Sequence, residues 1–251
     1  MQSQAWLERI APQFGGFAGK VVLDVGTDLS GDMIVTLEQR FAAREVVGIN
    51  LAAENTKLSS TTRLEQGNIL ETRYSDATFD LIVSSSAFEH ITGLERAMDE
   101  MHRILKPGGY LYSHFGPIWS TTYGHHLWTT FGDRTFTYWN VTLPPYCHLL
   151  MTQPEIENFL IEHHYGQEVA RHIAQYVLYS KEQNQLFFED YARIFSQSKF
   201  EILLFKGYDY PYLANRYNAQ VTPELLERLK GRYHDKSQFF YDGITTLLRK
   251  A

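Results

Sequence analysis

The sequence predicts an α/β fold, a mostly parallel sheet with helices between its strands and a helical, aromatic-rich cap inserted after the fifth strand. Three observations carry this. Apolar runs bounded by Gly and polar turns alternate with amphipathic stretches through the first 115 residues. The rhythm lapses over 116–186, where Trp, His, Tyr and Pro residues crowd together, Trp119, Trp128 and Trp139 among them. It resumes over 187–251. A chain of 251 residues that is 44% hydrophobic can bury a sizeable core. We therefore expect one elaborated domain over 1–251: a sheet half (1–115), a cap (116–186), and closing helices and strands (187–251).

VVLDV at 21–25 reads as the first strand. The stretch 33–43 carries Ile34, Leu37 and Phe41 at helical spacing, with Ser30 or Asp32 available as its cap. EVVGIN at 45–50 is the second strand, a short third lies within 62–68, and FDLIVSSS at 79–86 is the fourth. A helix over 94–105 is halted by Lys106-Pro107-Gly108-Gly109, where proline cannot continue it and the glycines allow a tight reversal into the fifth strand, 110–115. In the cap, 154–164 is helical. A helix at 187–197, a strand at 200–208, a helix at 223–231 and a last strand at 243–250 complete the chain.

Ligands of open α/β sheets sit beyond the carboxyl ends of the strands. Those ends read Asp24-Val25-Gly26, Asn50, Asn68 and Ser84-Ser85-Ser86. A nicotinamide dehydrogenase needs G-x-G-x-x-G after the first strand and usually an acidic residue after the second. Neither is present.

VLDVG, VVGIN, QGNIL, FDLIVSSSAFEHI and RILKPGGYL, in this order over 21–115, resemble the class I S-adenosylmethionine-dependent methyltransferases, particularly the small-molecule branch. The resemblance implies a Rossmann-like sheet of seven strands. It places Asp24, Gly26 and Thr27 beside the methionine portion of S-adenosylmethionine, Asn50 and Leu51 at the ribose, Asn68 and Ile69 at the adenine, and Ser84 and Ser85 at the methionine amino group. Three positions depart from the family pattern. Asp28 occupies a usual glycine position, and Asn50 and Asn68 stand where acidic residues are usual, each offering a hydrogen bond without charge.

The implied activity is methyl transfer to an O or N atom of a small-molecule acceptor, which requires alignment of the acceptor and removal of its proton. Histidine suits that task near neutrality. His114, His125, His126, His148, His163 and His164 fall between the fifth strand and the resumed sheet. We take His126 or His125 first as base or positioning residue, with His148 as a further candidate. His163 and His164 read as surface residues complementing a helix dipole, and His114 as a core residue. Each histidine has packing as its alternative role. The aromatic cluster around Trp119, Tyr123, Trp128, Phe131, Tyr138 and Trp139 reads equally as cap core or as the wall of an apolar pocket.

Two further readings stay open. The first is a metal-assisted or other non-standard reaction of the same cofactor, using His114, His125 and His126. A Glu-His pair follows the fourth strand at Glu89-His90, but Ser86 stands where some quinone-type O-methyltransferases place a further glutamate toward a divalent ion. The second is a degenerate, non-catalytic partner subunit that binds the cofactor weakly or not at all.

A net charge of −6 makes nucleic acid and anionic membrane poor partners. A homodimer stays open. A single cysteine, Cys147, and an N-terminus without the character of a signal peptide point to the cytoplasm.

Overall fold

A computed structural model describes residues 2–209 and 221–251. By contacts the chain divides into two compact units: residues 1–115 with 193–206 and 245–251, and residues 116–192 with 207–244.

The first unit is organised by a sheet of strands β1 (Val21–Val25), β2 (Glu45–Asn50), β3 (Thr56–Lys57), β4 (Thr62–Gln66), β5 (Phe79–Ser85), β6 (Leu105–Phe115), β9 (Glu201–Tyr208) and β10 (Gly243–Arg249). Their order is β3-β4-β2-β1-β5-β6-β10-β9. β4, β2, β1, β5 and β6 run parallel, so the carboxyl ends of β1, β2, β4 and β5 emerge together. Among the described residues the sheet has eight strands rather than seven because β3, two exposed residues, adds antiparallel to β4.

Helices α1 (Gln2–Ile10), α2 (Asp32–Phe41) and α3 (Leu94–Ile104) flank these strands. α1 was not anticipated, although Leu7 and Ile10 are fully buried with Leu37, Val22 and Leu81 in the main core. Neither Ser30 nor Asp32 is the N-cap of α2: Gly31 holds that place, and Ser30 Oγ instead accepts a 3.2 Å hydrogen bond from the Asp32 N–H. The predicted halt at 106–109 also differs in form. Lys106 to Gly109 lie inside β6, whose register against β5 jumps from Phe79↔Leu105 to Leu81↔Tyr110. Asp80 pins this irregularity, accepting from Lys106 Nζ at 2.7 Å and from the Val21 N–H at 2.8 Å.

The second unit contains a hairpin of β7 (Trp128–Phe131) and β8 (Arg134–Thr137), then helices α4 (Cys147–Leu150), α5 (Gln153–Glu162) and α6 (Gln167–Tyr179). α7 (Phe188–Gln197) crosses into the first unit, and α8 (Pro223–Arg232) belongs to the second. Tyr123, Phe136, Tyr138 and Cys147 bury with Ile156, Leu160, Ile173 and Val177, so Tyr123 and Tyr138, two of the six residues of the aromatic cluster, are cap core. Trp128, Phe131 and Trp139 are instead exposed. A smaller core joins Tyr146 and Leu149 to Leu229 and Phe239, with the Tyr146 hydroxyl donating to the Phe239 carbonyl at 2.8 Å. Tyr146→Phe orphans that carbonyl in a dry setting and is expected to lower the unfolding free energy by about 1–2 kcal/mol, read by urea denaturation.

Candidate functional site

The turn after β1 is built by backbone geometry that side chains cannot share. Gly26 sits at φ +79°, and a Cβ there would fall 2.3 Å from Ala87 Cβ in the segment leaving β5. Its N–H and that of Thr27 both donate to the Ile49 carbonyl, at 2.9 and 3.2 Å, locking the turn to β2.

Inside this turn Asp24 is fully buried, and among the described residues neither carboxylate oxygen has a hydrogen-bond partner. The buried Thr27 hydroxyl is likewise unpartnered. Burial raises the Asp24 pKa to about 7; the nearby Thr27 hydroxyl opposes the rise and the charge of Asp28 adds to it. Two unsatisfied buried polar groups side by side are costly in a folded protein. The structure carries that cost where the sequence places a ligand.

The other strand ends are more engaged. Asn50 Nδ2 donates to the Thr27 carbonyl at 2.9 Å and its Oδ1 accepts from the Ala52 N–H at 2.9 Å, so Asn50 braces both turns. Leu51 stands 68% exposed beside it, an apolar side chain left for a ligand to cover. Asn68 is exposed, with Oδ1 accepting from the Leu70 N–H, and Ile69 is buried. The Ser84 hydroxyl is buried and donates to the Val25 carbonyl at 2.9 Å, while Ser85 is half-buried. A groove of about 950 Å³ opens along β4. Its walls include Ile49, Gly67 and Asn68 but neither Asp24 nor Gly26, so it reaches the expected adenine end only.

The three candidate histidines lie in the second unit. His125 is buried and its Nδ1 accepts from the Leu127 N–H at 3.1 Å, which puts its proton on Nε2. His126, at φ +49°, accepts on Nδ1 from Gln183 Nε2, which also donates to the Pro117 carbonyl at 3.1 Å. His148 is the converse case. Its Nε2–H donates to the Trp119 carbonyl at 2.8 Å, and its buried Nδ1 has no partner among the described residues. Burial lowers the His148 pKa to about 4 and takes that of His125 well below the ordinary imidazole range, the neighbouring imidazoles adding to the effect on His125. The His125 and His148 ring centroids lie 5.6 Å apart.

His114, in β6, bonds through Nδ1 to Thr245 Oγ1 at 2.8 Å, and burial lowers its pKa to about 4. His163 closes α5 as its C-cap, with Nδ1 donating to the Phe159 carbonyl at 2.8 Å. Glu89 is buried and His90 exposed, in the turn before α3. Among the described residues no three His, Cys, Asp or Glu side chains are placed to share a metal ion, so the grouping of His114, His125 and His126 does not form one.

Residues 23–113 match the family model described as a methyltransferase domain. This segment is similar to the class I S-adenosylmethionine-dependent methyltransferases. Of the relatives of this methyltransferase domain, malonyl-[acyl-carrier protein] O-methyltransferase 1 of Coxiella burnetii is 35% identical over 97 residues, covering 38% of this chain and 34% of that protein. Demethylmenaquinone methyltransferase of Deinococcus radiodurans is 28% identical over 116 residues, covering 43% and 48%. The chain thus spans between a third and a half of these relatives' length. Among solved structures, geranyl diphosphate C-methyltransferase from Streptomyces coelicolor A3(2) superposes with a TM-score of 0.57 at 15% identity, over 99% of this chain and 77% of that one, a likeness of fold.

The methyltransferase cofactor carries an ammonium and a sulfonium on its methionine portion. A buried carboxylate and hydroxyl without partners suit the cationic end, and the exposed Leu51 suits an apolar ring edge. Sequence reasoning did not find Ala87, whose methyl walls the turn, or Gln183, which orients His126. Gln183 lies in a polar run, KEQNQ, with nothing to distinguish it from a surface loop.

Proposed function

We propose that the protein transfers a methyl group from S-adenosylmethionine to an oxygen or nitrogen of a small-molecule acceptor. The observation that carries this reading is the unpartnered Asp24–Thr27 pair beneath the Gly26 turn of a methyltransferase domain. When bound, the cofactor supplies an electrophilic methyl on a sulfonium. Asp24 and Thr27 hold its methionine portion, Asn50 and Leu51 its ribose and the adjoining ring edge, and Asn68 and Ile69 the adenine. The half-buried Ser85 and the Ser84 backbone stand toward the amino group, since the Ser84 hydroxyl is already bonded.

Tautomers order the histidines for proton removal. His125 and His126 each accept on Nδ1, so each carries its proton on Nε2. His148 alone of the three presents a lone pair without a partner, and it stays neutral at physiological pH. His148 therefore comes first as base, with His126 and His125 as donors that position the acceptor.

Isothermal calorimetry with S-adenosylmethionine and S-adenosylhomocysteine tests the cofactor reading. Micromolar binding of either is expected, and silence from both overturns methyl transfer in any form, leaving a degenerate subunit. Once an acceptor is in hand, His148→Gln is expected to reduce turnover by 10²–10⁴-fold while sparing cofactor binding. His126→Ala is expected to act mainly on acceptor KM. Unchanged turnover in His148→Gln would remove it as base.

A further inference from the structure

Two buried side chains of the second unit hang from one short turn. Gln183 Nε2 donates to the Pro117 carbonyl and His148 Nε2 to the Trp119 carbonyl, two residues further on. Each is only 7% exposed, and each turns its other polar atom, Gln183 Oε1 and His148 Nδ1, to no partner among the described residues. His125 and His126 join the pair: the His125 ring is 5.6 Å from that of His148, and His126 is bonded to Gln183. Aromatic rings complete the surroundings, with Trp119 4.6 Å from His148 and Tyr138 5.6 Å from His126, centroid to centroid.

The unsatisfied atoms share one property: both are acceptors. Orphaned acceptors in a dry setting are costly, and a ligand that donates to them removes the cost. A carboxylate or phosphate offers only further acceptors. Nor does the cluster supply the positive charge an anion needs, because burial keeps the His125 and His148 imidazoles neutral.

We infer that His148, Gln183 and their aromatic neighbours form the acceptor subsite of the proposed methyltransferase, and that it takes a neutral aromatic molecule bearing a hydroxyl group. The hydroxyl donates to His148 Nδ1, and the rings beside it receive the aromatic body. The role as methyl acceptor rests on the reading above; the ligand class rests on the two orphaned atoms. It also sets this chain apart from a diphosphate-binding relative of the same fold.

The test compares 4-methylphenol, toluene and 4-methylbenzoate on protein labelled with ¹⁵N at histidine, with S-adenosylhomocysteine present and absent. Imidazole nitrogen shifts distinguish a bare lone pair from one that accepts a hydrogen bond. 4-Methylphenol is expected to move one lone-pair nitrogen signal toward the hydrogen-bonded range, and to bind about fivefold more tightly than toluene. The proposal is overturned if 4-methylbenzoate binds as well as 4-methylphenol. It is overturned equally if no imidazole signal moves, including the case in which a buried water already satisfies His148. If 4-methylphenol shifts the signal while S-adenosylhomocysteine fails to bind, the ligand class stands and methyl transfer falls; the reverse result keeps methyl transfer and removes this subsite.

Discussion

Gly26→Val is expected to abolish S-adenosylhomocysteine binding, the largest single effect the cofactor turn can show. Two costs coincide at this residue. At φ +79° a β-branched side chain is a conformational outlier, and its first carbon alone would sit 2.3 Å from Ala87 Cβ, far inside contact distance. The turn must open, and opening breaks the two hydrogen bonds to the Ile49 carbonyl that set Asp24 and Thr27 in place. Collision with Ala87 and occupation of ligand space are separable. Gly26→Ala with Ala87→Gly removes the protein–protein collision while keeping a methyl in the turn. Calorimetry on that double variant, beside Gly26→Ala alone, tells which matters. If the double variant binds S-adenosylhomocysteine as the wild type does, Gly26 serves only to clear Ala87. Continued failure in a chain of normal stability places the ligand against Gly26 itself.

β1, β2 and β5 were legible because each is a short apolar run with a turn at each end, and α2 and α3 because each has one buried face. β1, β2, β5 and α3 lie within a residue or two of their expected spans for that reason. β3 left no trace, since Thr56 and Lys57 are exposed and bury nothing. The β7–β8 hairpin did leave one: Gly132-Asp133 between WTTF and RTFT is a two-residue hairpin signal, masked by the aromatic residues that suggested a helical cap. Site residues divide along the same line. Asp24 and Gly26 are fixed by their place at a strand end, which sequence shows. What distinguishes His148 from His125 and His126 is which ring nitrogen meets a carbonyl and which meets an N–H. That depends on contacts such as His126 with Gln183, 57 residues away. No local pattern encodes it.

Cofactor binding is expected to weaken about tenfold for each pH unit below 7, and the cause is Asp24. Its pKa in the unliganded protein is raised to about 7 by burial, with the Thr27 hydroxyl opposing and the Asp28 charge adding to the rise. An ammonium-bearing ligand needs the ionised carboxylate, so binding must expel the proton that burial retains. At pH 6 about one site in ten is ionised before the ligand arrives, and at pH 5 about one in a hundred. Over this range the ligand's own amino group keeps its proton, so the slope reports the protein. Calorimetry with S-adenosylhomocysteine in buffers of different ionisation enthalpy should show close to one proton released at pH 6, falling toward none above pH 8. Asp24→Asn should bind weakly and without slope. The stability of the unliganded protein should move the opposite way. The folded state holds a proton that the unfolded chain loses above about 3.8, so stability falls as pH rises from about 4 to 7. Asp24→Asn, relieved of that burden, is expected to be more stable than the wild type at pH 8 while binding less well. A wild-type affinity that stays level from pH 5 to 7.5 would overturn the coupling of cofactor binding to deprotonation of Asp24.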